Sequence, residues 1–163
     1  MERRQLAQLN IARMQAPLES PSMADFVANL ERINRLADTA PGFVWRLQSD
    51  AGDATAIRPF SDDMLVNISV WSSLELLAAF VYRSPHAAIM RRRREWFTQL
   101  AEAYTVLWWV PAGHRPDAAE AIDCLAELRR AGPTPRAFTF REPFSPSGQR
   151  QGESASGGDS GGE

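Results

Sequence analysis

The chain reads as an α+β protein with the element order β-α-β-β-α-β and one further helix behind it, a ferredoxin-like pattern. Three observations carry that reading. Apolar residues alternate at period two over 6–14 and 64–71, as in half-buried strands. Apolar residues recur at helical spacing behind Ser20–Pro21 and behind two capping-box pairs, Ser72 with Glu75 and Asp117 with Glu120. Turn residues such as Pro41–Gly42, Gly52 and Gly132–Pro133 punctuate these segments.

The elements follow in order. Residues 6–14, LAQLNIARM, form the first strand, with Leu9 and Ile11 opposite Gln8, Asn10 and Ala12. Ser20 then caps a helix with proline at its first position, and Met23, Phe26, Val27, Leu30, Ile33 and Ala37 carry it to about Asp38. Residues 43–48 are a second strand, turning through 50–53 and resuming over 54–58. In the third strand, 64–71, Val66, Ile68 and Val70 alternate with Leu65, Asn67, Ser69 and Trp71. Leu76, Leu77, Phe80 and Val81 face inward on the next helix, and Ser84–Pro85 restarts it in a new direction as far as about Ala101. Residues 104–110, YTVLWWV, form a buried strand. The last helix carries Ile122, Leu125 and Leu128 and stops at Gly132, after which 137–141 adds a short strand at an edge.

Composition bounds the function. All 18 basic residues are arginine, which excludes a Schiff-base lysine, a lysine general base and a P-loop lysine. One cysteine, Cys124, forbids an internal disulfide or a multi-cysteine metal site. The chain of 163 residues suits one domain, 1–144, followed by a tail. That tail, 145–163, holds six of the ten glycines and one apolar residue, so it cannot offset the entropy of ordering and is expected to be disordered. It also carries the net charge of −2, leaving 17 arginines against 17 acids in the body. A neutral body gives no grounds for a nucleic-acid partner, and no apolar run reaches the roughly 20 residues of a membrane span. No signal-peptide core follows the N-terminus, so a soluble cytoplasmic protein is expected.

Four features point to chemistry. Gln8 with Asn10, and Asn67 with Ser69 and Trp71, share faces of their strands; such amides either bond one another or meet a ligand. At 100° per residue, His86, Met90, Arg93, Phe97 and Leu100 fall within about 40° of one direction on the long helix. Arg91 and Arg92 then point to water, while Arg93 sits in an apolar stripe and needs a carboxylate, a carbonyl or an anionic ligand. His86, one residue into a helix, is disfavoured from protonation and can accept a proton or ligate a metal. His114 reads as a loop residue; two separated histidines and no thiol cluster give no metal site, and Cys124 lacks a histidine partner for nucleophilic work. Finally, Trp45, Trp108 and Trp109 lie on strands of a sheet whose helices protect one face, which predicts a homodimer packed face to face.

The segments LAQLNIARM, PGFVWRLQ, ATAIRPF, VNISVWSSLE, AFVYRSPHAAIMRRRREWF, LWWVPAGHRP and GPTPRAFTF resemble, in that order, a bacterial family, domain of unknown function 3291. The resemblance covers about residues 5–144 and implies the dimeric α/β-barrel fold of antibiotic-biosynthesis monooxygenases and small haem-degrading monooxygenases. It implies no established activity. Cofactor-independent oxygenases of that superfamily use an asparagine and a tryptophan four residues apart on an inner strand, a spacing that Asn67 and Trp71 match. Leu77 stands near the position of a functional tyrosine of some members. The implied function is oxidation of an aromatic or polyketide-like small molecule without cofactor. In that reading Asn67, Trp71 and His86 are catalytic, and Asn10, Phe80 and Arg93 bind the substrate. A non-catalytic homodimer that binds a small ligand is the first alternative. The second is haem binding or degradation with Asn10, Phe80 and His86 in the roles of the asparagine, aromatic and iron ligand; Phe80 there replaces a tryptophan.

Overall fold

The computed structural model describes residues 3–151, and the fold is built on one antiparallel sheet. Its elements are β1 (Arg4–Met14), α1 (Ala24–Asp38), β2 (Phe43–Arg46), β3 (Met64–Trp71), α2 (Leu74–Arg83), α3 (His86–Met90), α4 (Arg93–Trp96), β4 (Phe97–Thr98), β5 (Thr105–Pro111) and α5 (Ala118–Ala131). The strands run in the order β2-β3-β1, and the far edge of β1 is shared. β5 pairs with Arg4–Asn10 there, and β4 with Arg13 and Met14. Apart from β4, this is the expected βαββαβ arrangement with the extra helix, so the fold class is ferredoxin-like α+β.

The period-two pattern divides the sheet into two faces. Ala7, Leu9 and Ile11 of β1 meet Val70, Ile68 and Val66 of β3 in register, with Val106 and Trp108 of β5 alongside. Ala121, Leu125 and Leu128 of α5 close that face, and each leucine contributes about 1.5–3 kcal/mol by leaving water. Leu47, Ala54, Ile57 and Phe60, from the irregular segment between β2 and β3, complete the cover. The opposite face carries Leu6, Trp71 and Leu107 at one end under α2, and Met14, Leu65 and Trp96 at the other.

Several expectations change. The strand tryptophans do not share a face, because Trp108 and Trp109 are neighbours on a pleat. Trp45 and Trp108 pack in the cluster that α5 helps to close, whereas Trp109 packs on the opposite side and donates its indole N–H to the Phe144 carbonyl at 2.8 Å. The face that periodicity left for a second subunit is thus covered by the chain itself.

The helix expected from Pro85 to Ala101 breaks at Arg91–Arg92 and ends at Trp96. The cause is β1, whose last residues outrun β5 and take Phe97–Thr98 as a partner. The Gln15 amide ties down the end of α4 by donating to the carbonyls of Arg94 (2.9 Å) and Phe97 (3.0 Å). The stripe accordingly divides, with Phe97 and Leu100 packing in different clusters.

Ser73 caps α2 in place of Ser72, accepting from the Leu76 N–H at 3.2 Å. Asp117 caps α5 as expected. Ser20 is extended but makes no side-chain cap, and Pro21–Met23 form a 3-10 turn ahead of α1. Residues 54–58 form no strand, and 137–141 contributes two isolated bridges, Phe138 to Leu107 and Ala137 to Thr134. The expected tail falls outside the described residues from 152 onward; before that, Phe144 bridges Arg150 around a turn.

Candidate functional site

The face under α1 and α2 is not filled. Between its two apolar ends lies a cavity of about 850 Å³, floored by β1 and β3 and roofed by Phe26, Leu30 and Ile33 of α1. No residue of α1 is buried, because its apolar stripe looks onto this space instead of onto the sheet. All six candidate residues border it: Asn10, Asn67, Trp71, Phe80, His86 and Arg93.

The floor is polar because two rows of the pleat carry amides and hydroxyls. Thr105, Asn10 and Asn67 stand opposite one another across β5, β1 and β3, and Gln8 stands opposite Ser69 one pleat further. Asn10 Nδ2 donates to Thr105 Oγ1 at 2.8 Å. Gln8 Nε2 donates to Ser69 Oγ at 2.8 Å and also to Asn67 Oδ1. Asn67 is the only exposed residue of β3, whose other seven positions are buried. Its oxygen accepts from Gln8, which leaves the Nδ2 hydrogens as the donors this exposed side chain can offer to the cavity it borders.

Trp71 is 1% exposed and its Nε1 donates to Ser69 Oγ at 2.9 Å, so that N–H is not available to a ligand. What it offers is support for Phe80. Phe80 stacks on it at 5.0 Å between ring centres and 28° between planes, and His86 lies on Phe80 at 4.8 Å. Together the three rings form one stack beside the cavity.

Burial pushes the His86 pKa below its ordinary value, with the Val81 backbone acting weakly in the other sense, and the imidazole is neutral near pH 7. Its Nδ1 is closed to solvent and has no hydrogen-bond partner. Among the described residues no cluster of three or more His, Cys, Asp or Glu side chains could hold a metal ion. Arg93 lies over the Tyr104 ring, 4.6 Å from its centre. Cys124 sits on the far side of the sheet against α5's neighbours, its thiol pushed up to about 12 by burial first and then by Glu120, Asp123 and Glu127. It is no nucleophile at neutral pH.

Two contributors were not singled out as site residues in the sequence. Gln8 was visible as a polar residue sharing Asn10's face, and it orients Asn67. Tyr104 had no signal, because a tyrosine at a strand's first residue reads as core.

The fold and cavity define a class: a ferredoxin-like α+β protein with a ligand-sized void between sheet and helices. Within that class, the chain belongs to the family described as domain of unknown function (DUF3291), which it matches over residues 5–154. No curated protein matches it. Among solved structures it is similar to a protein of unknown function from Nitrosomonas europaea, at 15% identity over 72% of this chain and 100% of that one, with a TM-score of 0.44. It is also similar to SnoaB, a cofactor-independent oxygenase from Streptomyces nogalater, at 16% identity over 69% of this chain and 98% of that one, with a TM-score of 0.44. Both likenesses are distant, and the fold stands on this chain's own strand order. No helix among the described residues is long and apolar enough to cross a membrane.

Proposed function

We propose that this chain is a cofactor-independent oxygenase acting on an electron-rich aromatic or polyketide-like small molecule. The observation that carries the reading is Asn67, an exposed amide in the middle of a buried strand, oriented by Gln8 and facing an aromatic-walled cavity. A planar substrate lies in the cavity beside Phe80 and His86 with its phenolic oxygen at Asn67 Nδ2. Neutral His86 takes the phenol proton through Nε2. The phenolate passes one electron to O2, the radical pair joins as a C–O bond, and the resulting peroxide loses water to leave a quinone. The balance is one phenol ring C–H and one O2 consumed, one quinone carbonyl and one water formed. Asn67 stabilises the anion before electron transfer, which is where a preorganised donor in a dry site acts most strongly. Trp71 positions Phe80 by stacking, and Asn10 borders the same floor.

Oxygen uptake over a panel of phenols tests this. Removing one such donor lowers turnover by about 100-fold in comparable sites, so Asn67→Ala is expected to lose most of the rate. Trp71→Phe keeps a ring in the stack and is expected to lose less. Equal rates in the wild type and Asn67→Ala would remove Asn67 from the mechanism.

A second reading, a non-catalytic ligand-binding protein, draws support from the amides that bond one another, Gln8 to Asn67 and Asn10 to Thr105. Ligand binding without any oxygen uptake favours it. The homodimer that the family resemblance implies belongs to both readings. A single-chain mass on gel filtration at micromolar concentration removes it.

A further inference from the structure

The two longest helices are held very differently. α5 buries Ala121, Leu125 and Leu128, whereas none of the 15 residues of α1 is buried. α1 is packed at its first end. Just ahead of it Met23 is fully buried, Phe26 meets Phe97 edge to face at 5.1 Å between ring centres, and Asp25 pairs with Arg92 at 2.8 Å. Ile33 still reaches the cluster around Met14, Leu65 and Trp96. Leu30, Asn34 and Ala37 border the cavity.

The far end is held by charge. Asp38, the last residue of α1, accepts from Arg46 of β2 twice, from Nε at 2.7 Å and from Nη2 at 3.3 Å. The third nitrogen of that guanidinium, Nη1, donates to the Gly52 carbonyl at 2.7 Å. A carboxylate at a helix C-terminus opposes the macrodipole, so Asp38 weakens α1 as a helix. What it contributes is the bond to Arg46, a two-pronged pair that carries direction as well as charge. The Arg46 side chain is 11% exposed and that of Asp38 is 41% exposed, so the pair is fixed on the strand side and wet on the helix side. Beyond it the chain is anchored again at Gly42, whose carbonyl accepts from the Ser72 N–H at 2.7 Å.

We infer that α1 is a hinged cover of the cavity, pivoting at Met23–Phe26 and latched by Asp38–Arg46, and that ligands enter when the Asp38 end is released. Side-chain burial is what resists local opening, and α1 supplies little of it toward that end. The inference requires a ligand to enter the cavity and is independent of whether that ligand is oxidised.

Hydrogen–deuterium exchange of the full chain, read by mass spectrometry on peptides from α1 and α5, tests the latch. In the wild type the amides of 34–38 are expected to exchange at least about tenfold faster than those inside α5, which has buried side chains to release before it can open. Asp38→Ala is expected to speed exchange in α1 by about two- to fivefold, the loss of one ion pair, and to leave α5 unchanged. If Asp38 acted on the helix alone, the same substitution would slow exchange, because alanine is the better helix former and the opposed charge is gone. Glu31→Ala removes a pair with Arg35 inside the same helix and is expected to leave the α1 rate unchanged. Entry is read by N-ethylmaleimide labelling of Asn67→Cys in a Cys124→Ser background, and Asp38→Ala is expected to raise the labelling rate by the same factor as the exchange. Amides of 34–38 no faster than those of α5, an unchanged or slower α1 in Asp38→Ala, or equal acceleration of both helices overturns the latch. Labelling that ignores Asp38→Ala while exchange rises overturns the route of entry. Absence of oxygen uptake refutes the oxygenase and leaves the cover standing.

Discussion

Ser69 offers the sharpest test of the polar floor, because one oxygen serves two buried donors. The residue is 6% exposed, and its Oγ accepts from Gln8 at 2.8 Å and from Trp71 Nε1 at 2.9 Å. Ser69→Ala deletes that acceptor and very little volume. Gln8 keeps its bond to Asn67, but the Trp71 N–H has nowhere to go on a side chain 1% exposed. A buried donor left without a partner costs about 1–3 kcal/mol, and the weakened Gln8 adds about 0.5–1 kcal/mol, so the loss should come to about 2–3 kcal/mol. With a urea dependence of about 1–3 kcal/mol per molar, the unfolding midpoint followed by circular dichroism should fall by about 1 M. The variant Trp71→Phe loses ring volume as well as the donor and is destabilised for a different reason. In Ser69→Ala/Trp71→Phe neither acceptor nor orphaned donor exists, so the double variant should be about 1–2 kcal/mol more stable than the sum of the singles. Additivity within about 0.5 kcal/mol would refute the bond and the reasoning built on it.

Other predictions follow from single residues. His86 is held below its ordinary pKa of 6.5, so the unfolded chain binds a proton that the folded chain refuses. Stability should therefore be complete above about pH 6.5 and fall as the pH drops below it, and His86→Phe should flatten the slope between about pH 5 and 6.5 in urea titrations. At Gly42, with φ at +85°, a Cβ would lie 2.5 Å from Leu76 Cδ1 and 2.9 Å from Ser72 Oγ, whereas at Gly113, φ +88°, it would meet nothing. Gly42→Ala should lower stability by at least about 2 kcal/mol and Gly113→Ala by about 1 kcal/mol, since only the first adds a clash to the left-handed strain. With its thiol near 12, Cys124 should react with iodoacetamide at pH 8 far more slowly in the native protein than in urea, and Cys124→Ser should leave ligand binding unchanged.

The element order was legible because each signal is local. Alternation over 64–71, the Asp117 cap and the Gly132 stop depend on neighbours within a few residues, and all three appear where those signals fall. The corrections have non-local causes. Whether 97–98 continues a helix or joins a strand depends on how far β1 outruns β5, a length comparison between segments some 90 residues apart. Whether Ser72 or Ser73 caps α2 depends on the segment leading into β2 holding Ser72, whose N–H is taken by the Gly42 carbonyl at 2.7 Å.

The candidate residues divide in the same way. By itself the sequence determined their faces: Asn10 and Asn67 off the α5 side of the sheet, Arg93 in an apolar stripe, and the body's neutral charge. Side-chain direction in strands and short helices follows from backbone period, which needs no knowledge of the rest of the fold. Only the tertiary structure decided what those side chains meet. It tied the Asn67 oxygen to Gln8, consumed the Trp71 N–H at Ser69, laid Arg93 on Tyr104, and put α5 over the tryptophan face reserved for a second subunit. Hydrogen bonds and ring contacts are short-ranged in space but join residues far apart in the chain, so their partners exist only once the sheet has closed.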